Sequence, residues 1–270
     1  MSLYSERMGT FIPTKNKIIK SIFDFANGKQ IRVLDIGCGT GHISKYLSDH
    51  GIYCTAIDKD FLGVPQEETE LYHPLECDIN ELLESDFVFD YDVILFSSVL
   101  HEIPNAMEVL FQVVEANQRP ALVPVRIIIS EPLIKDHLIS HKMEKILDSL
   151  YEKRTKENKV HRDLLIEYLR SDKIQSEKFY NQDVHLQMLN CAFVEVYGKV
   201  SRKREMSQMR YTFSSKDFEN WLLGAFPVSS VQYYFIKDWS YERYFKKAGL
   251  EKICYELPYT HTISIYDIKW

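Results

Sequence analysis

The chain has 270 residues, 45% of them hydrophobic and 27% charged, which is enough apolar material for one large domain or a core with an insertion. A net charge of −6 gives no overall attraction to nucleic acid or to an anionic membrane surface. The five cysteines (Cys38, Cys54, Cys77, Cys191, Cys254) are scattered and form no C-x-x-C pair, so neither a disulfide framework nor a metal site is indicated.

"MSLYSERMGTFIPTK" lacks the apolar core of a signal peptide, and no apolar run approaches the ~18 residues of a membrane span. The expectation is a soluble cytoplasmic protein with no membrane partner. From Thr14 to Phe25 the residues Ile18, Ile19, Ile22, Phe23 and Phe25 recur at helical spacing, with Thr14 as a cap and Gly28 as the stop. "IRVLDI" is a short buried strand, "GHISKYLSDHG" a helix ended by Gly51, and "IYCTAID" a second strand. "ELYHPLECDI" holds a weaker third strand, interrupted at Pro74. "YDVILFSS" is a fourth, apolar enough to be covered on both faces, and "NAMEVLFQVVEAN" is a helix. "VRIIISEP" is a fifth strand, closed by Pro132.

After Pro132 the alternation stops for about a hundred residues. "HKMEKILDSLYEKR", "HRDLLIEYLRSDK" and "KDFENWLLGAF" have the pattern of amphipathic helices, the last with Ser215 as its cap. The core resumes near "SYERYFKKAGLEKICYELPYTHTISIYDIKW": a helix stopped at Gly249, a strand, a turn and a final strand from Thr260 to Ile268. The short link requires those two strands to be antiparallel. Strands alternating with helices predict a parallel sheet built from right-handed βαβ units, and ligands of such sheets lie beyond the carboxyl ends of the strands. Four strand ends here carry polar groups: Asp35, Asp58, the Ser97–Ser98 pair and Glu131.

Two ligands compete for the turn "DIGCGTG". The dinucleotide fingerprint G-x-G-x-x-G needs a small third residue, and counting from Gly37 and Gly39 that position is His42. A phosphate-binding P-loop is excluded because no G-K-[ST] follows. "VLDIGCGTG" resembles the first motif of the class I S-adenosylmethionine-dependent methyltransferases, D/E-x-G-x-G-x-G. "AIDKD" is similar to the second motif, "CDI" to the third and "YDVILFSSVLHEI" to the fourth, in chain order. The resemblance covers residues 31–131 and roughly 240–270.

The resemblance implies a seven-stranded, mostly parallel sheet with helices on both faces and a C-terminal antiparallel β-hairpin. Residues 1–132 and 236–270 would form the core, with a largely helical insertion at 133–235. It also implies S-adenosylmethionine as cofactor and S-adenosylhomocysteine as product. In that site Asp35, Gly37, Cys38, Gly39 and Gly41 form the turn, and Asp58, followed by Lys59, takes the ribose hydroxyls. Asp78 would lie near the adenine amine, Ile79 beside the ring, and Ser97 at the methionine amino group. Tyr4 and Arg7 would fold over the methionine end.

The residue types suit that ligand. A carboxylate is a natural acceptor for two vicinal hydroxyls, and glycines let the backbone approach without a Cβ. Methyl transfer is an in-line displacement that draws on orientation, with a base needed only where the acceptor loses a proton. His101 and Glu131 are the candidate catalytic residues; the plain alternatives are a histidine that packs or lines the pocket, and a strand-end acid facing water. The insertion would select the acceptor. Its aromatics, Trp221 and Phe226 among them, suit a small flat or apolar molecule. The basic run "KVSRKREMSQMR" (Lys199, Arg202, Lys203, Arg204, Arg210) makes RNA a second choice, and a non-catalytic cofactor-binding regulator is a further rival.

Overall fold

The computed structural model describes residues 12–61, 67–103, 105–118, 123–132, 147–148, 215–237, 246 and 261–270. In chain order these form α1 (Ile12–Ala26), β1 (Arg32–Ile36), α2 (His42–Asp49), β2 (Tyr53–Asp58), β3 (Tyr72–Glu76), α3 (Ile79–Leu83) and β4 (Val93–Ser97). A single 3₁₀ turn (Leu100–Glu102) follows, then α4 (Ala106–Ala116), β5 (Val125–Pro132), α5 (Ser215–Ala225), β6 (Val228–Ile236) and β7 (His261–Ile268). One compact unit comprises Pro13–Glu131, Ser215–Phe235 and Thr262–Trp270 and contains the sheet. The second takes in Met1–Ile12, Pro132–Ser214 and Ile236–His261, of which few residues are described.

The seven strands run in the order β3-β2-β1-β4-β5-β7-β6. Those from β3 to β5 pair in parallel. The C-terminal strands are antiparallel: Lys269 N–H donates to the Pro227 carbonyl and Ser229 Oγ–H to that of Asp267, so residue numbers run oppositely across β6 and β7. Pro74 does not end β3. It pairs with Ala56 inside an edge strand, where a missing N–H is tolerated.

Right-handed crossovers assign the helices to faces. The chain moves one way across the sheet from β1 to β2 and the other way from β4 to β5, so α2 and α4 cover opposite faces. The inner strands are buried from both sides: Val33, Leu34, Val93, Ile94, Leu95, Phe96, Ile127 and Ile128 are fully covered. α1 shares the α2 face. Its Ser21 carbonyl accepts from Arg126 Nη1 at 3.0 Å, and Arg126 stands in register with Val93, two residues before Leu95, the neighbour of Asp35. Thr14 lies inside α1 and is buried, so it is not the cap that the sequence suggested. Gly28 and Gly51, both with positive φ, end α1 and α2 as expected.

The sheet departs from expectation at its far edge. Its sixth strand is Val228–Ile236, inside the stretch assigned to the insertion. The insertion boundary at 235 therefore does not hold. The Trp221 and Phe226 rings also belong to the sheet unit, packing on Phe111 of α4 at centroid distances of 5.4 and 5.8 Å. "VSSVQYYFI" hides its strand character because an edge strand buries little: its residues are intermediate or exposed, without the apolar alternation that marked β7. The remaining insertion helices, the basic run, the helix stopped at Gly249 and the strand expected in "ICYELPY" lie outside the described residues.

Candidate active site

The strand order reverses between β1 and β4, and a doubly wound sheet opens its ligand crevice at such a switch point. Both strand ends there are shaped by close approach. Gly37 has φ +68, and a Cβ on it would stand 2.0 Å from Cγ2 of Val99, in the segment after β4. Only glycine fits. Gly37 and Cys38 N–H both donate to the Ile57 carbonyl, at 2.8 and 3.0 Å, which folds the turn across the end of β2. Gly39 N–H donates to Asp58 Oδ2 at 2.7 Å, and Asp60 N–H to Oδ1 at 3.0 Å. Gly41, also at φ +68, starts α2 with no side-chain cap.

Strand registers put the acidic and hydroxyl groups on one face. Asp35 is level with Ala56 and Leu95, so Asp58 and Ser97, each two residues further on, point the same way. Ser130 is level with Ser97 and joins them. Asp35 is 2% exposed; its Oδ2 accepts from the buried Ser44 hydroxyl of α2, while Oδ1 has no hydrogen-bond partner among the described residues. Burial raises its carboxyl to about 7, the Ser44 hydrogen bond opposing and the charge of Asp58 adding to the effect. Burial likewise raises the Cys38 thiol, so Cys38 is a packing residue of the turn and not an activated nucleophile. Lys59 is exposed.

Asp78 caps α3: its Oδ1 accepts from Asn80 N–H at 2.9 Å and from the Asn80 side-chain amide at 3.0 Å. Ile79 is buried directly after it. The Cys77 N–H donates to the Asp58 carbonyl at 3.0 Å, which links the ends of β2 and β3. After Ser97, Ser98 adopts φ +57, a strained value for a residue with a Cβ, and its N–H donates to the Ser130 carbonyl.

Glu131 does not face water. It is 2% exposed, and its Oε1 accepts from the Val99 and Leu100 N–H groups at 3.2 and 2.9 Å. The carboxylate thus holds the start of the 3₁₀ turn that carries His101, whose side chain lies outside the described residues, as do Tyr4 and Arg7 entirely. Sequence reasoning missed Ser44 and Val99. Ser44 left a trace, since it interrupts the apolar stripe of Ile43 and Leu47 with a small hydroxyl. For Val99 there was none, because the contact joins loops 62 residues apart. Among the described residues no group of three or more His, Cys, Asp or Glu could hold a metal ion, and no helix is long and apolar enough to cross a membrane.

A doubly wound sheet of order 3-2-1-4-5-7-6, with a glycine turn and strand-end acids at its switch point, defines the class I methyltransferase fold. The methyltransferase domain model matches residues 12–255, and the chain belongs to that family. Among solved structures it is similar to the plantazolicin methyltransferase BpumL, in complex with a pentazolic desmethylPZN analog and SAH. That match has TM-score 0.50 and 14% identity, covering 98% of this chain and 88% of the other. It is equally similar to a SAM dependent methyltransferase from Archaeoglobus fulgidus, with TM-score 0.50 and 14% identity over 97% and 96% of the two chains. At such identities the likeness is one of fold. No curated protein sequence matches the chain.

Proposed function

We propose that the protein transfers a methyl group from S-adenosylmethionine to an O, N or C atom of a small-molecule acceptor. The observation that carries the cofactor is the grouping of Asp35, Asp58 and the glycine turn on one sheet face at the switch point. The donor set fits a cationic nucleoside: an unpartnered buried carboxylate oxygen suits a positive group, and Asp58 is a half-buried acid at the neighbouring strand end. When bound, the cofactor supplies a methyl group activated on a sulfonium.

This chain's residues have the task of orientation. Asp58 would take the ribose hydroxyls while anchoring the turn, Asp78 and Ile79 would border the adenine, and Ser97 would meet the amino group. Cys38 would pack the turn and Lys59 would stay at its rim. Glu131 serves as a positioning residue for the 99–102 segment, from which His101 can line the acceptor side. Tyr4 and Arg7 would close over the methionine end, and residues 133–214 would select the acceptor.

A small-molecule acceptor is favoured over RNA by the net charge of −6. The test is production of S-adenosylhomocysteine on addition of candidate acceptors. Turnover with small aromatic or heterocyclic nucleophiles is expected. Turnover with RNA alone would transfer the site to the basic run, and cofactor binding without turnover on any acceptor would favour a regulator.

A further inference from the structure

Val99 joins two turns that are far apart in sequence. Its backbone belongs to the segment after β4: its N–H donates to Glu131 Oε1 at 3.2 Å, and its carbonyl accepts from Glu102 N–H at 2.8 Å. The residue before it, Ser98 at φ +57, donates its N–H to the Ser130 carbonyl, so β5 holds this segment at two points. The Val99 side chain reaches the turn after β1. A Cβ on Gly37 would meet Val99 Cγ2 at 2.0 Å, Cβ at 2.5 Å and Cγ1 at 3.0 Å, so the valine fills the place of the side chain that Gly37 lacks. Glycine is the residue with the most backbone freedom to lose. Val99 supplies from outside the restriction that a Cβ would supply from within. Two residues on, Gly39 N–H holds Asp58 Oδ2 at 2.7 Å. Val99 itself is half-buried, in the segment that borders the switch point.

We propose that Val99 is a positioning residue for the cofactor, one that pre-organises the glycine turn and, through it, the Asp58 carboxylate, with Glu131 as its anchor. The inference rests on the cofactor reading above and deepens it. The contacts run from the Glu131 carboxylate to the Val99 amide, from the Val99 methyls to Gly37, and from the Gly39 amide to Asp58. They end at the group that takes the ribose hydroxyls in the proposed function, so they act on the nucleoside part of a ligand. A turn already held in its bound shape loses less freedom on binding, which raises affinity without a new ligand contact. The same contacts tie the glycine turn to the 3₁₀ turn that carries His101.

The test is calorimetric titration of S-adenosylhomocysteine and, in competition with it, 5′-methylthioadenosine, which shares the nucleoside and lacks the amino-acid end. Urea unfolding of each variant runs alongside. Val99→Ala removes the two methyls beside Gly37 and should weaken both ligands alike, by roughly five- to thirtyfold, the equivalent of one backbone residue set free. Val99→Thr keeps the branched shape and should restore both affinities. Glu131→Ala should weaken both ligands in the natural chain and add little to Val99→Ala, because the two changes cut one series of contacts. Should Val99→Ala fail to fold, hydrogen exchange on the natural protein decides: 5′-methylthioadenosine should slow the Val99 and Leu100 amides together with those of the glycine turn. Protection of the glycine turn alone would overturn the proposal. Unchanged affinity in Val99→Ala, even with a lowered urea midpoint, would likewise overturn it and leave Val99 a packing residue. Weakening confined to S-adenosylhomocysteine, or losses that add fully with Glu131→Ala, would do the same. Failure of the natural protein to bind S-adenosylhomocysteine at all would overturn the cofactor reading itself.

Discussion

Asp35 and Asp58 sit two residues apart in register on adjacent strands, yet their environments give them different work. Asp58 is half-buried and holds two backbone amides, and in the proposed function it takes the ribose hydroxyls. Asp58→Ala should weaken S-adenosylhomocysteine binding by about 1.5–3 kcal/mol, roughly ten- to a hundredfold, as read by calorimetry. Asp35 is shielded, and its raised carboxyl makes stability depend on pH. In the unfolded chain it loses its proton near 4; in the folded protein it keeps it to about 7. Between those values the folded state binds more protons, so the contribution of Asp35 is fully present below about 4 and declines as pH rises toward 7. Urea unfolding should show that this decline is absent in Asp35→Asn. Gly37→Ala should cost about 2–4 kcal/mol from overpacking against Val99 and left-handed strain, visible as a lowered urea midpoint.

At the scale of elements, two polar contacts join segments distant in sequence. Arg126 of β5 makes a bidentate pair with Asp267 of β7 at 2.7 and 2.9 Å, reaches Ser21 of α1, and lies over the Phe25 ring. With its side chains mostly buried, this pair should lose about 3–5 kcal/mol when Asp267 alone becomes Ala, and much less when Arg126→Met and Asp267→Leu are combined. Glu131 ties β5 to the turn after β4. Glu131→Gln keeps an acceptor for the Val99 and Leu100 amides and should retain methyl transfer within a few-fold, whereas Glu131→Ala should lose it together with about 1–3 kcal/mol of stability. Loss of rate in Gln as well as in Ala would instead make the carboxylate charge itself the functional feature.

For the whole molecule, what the chain disclosed in advance follows local pattern. Strands β1, β2, β4, β5 and β7 were legible because buried apolar runs end in glycine or in polar groups, and the glycine turn was legible because its spacing breaks the dinucleotide rule at His42. β6 was not, since its register depends on β7 and its side chains stay half in solvent. The burial of Glu131 was equally hidden, because it depends on amides contributed by a neighbouring strand end. In the proposed function the switch point between β1 and β4 binds the S-adenosyl cofactor and not a dinucleotide. Calorimetric titration with S-adenosylhomocysteine and with NADH, on the natural protein and on Asp58→Ala, tests it most directly. The expected result is saturable binding of S-adenosylhomocysteine, weakened in Asp58→Ala, with no heat from NADH; binding of NADH with no affinity for S-adenosylhomocysteine would contradict it.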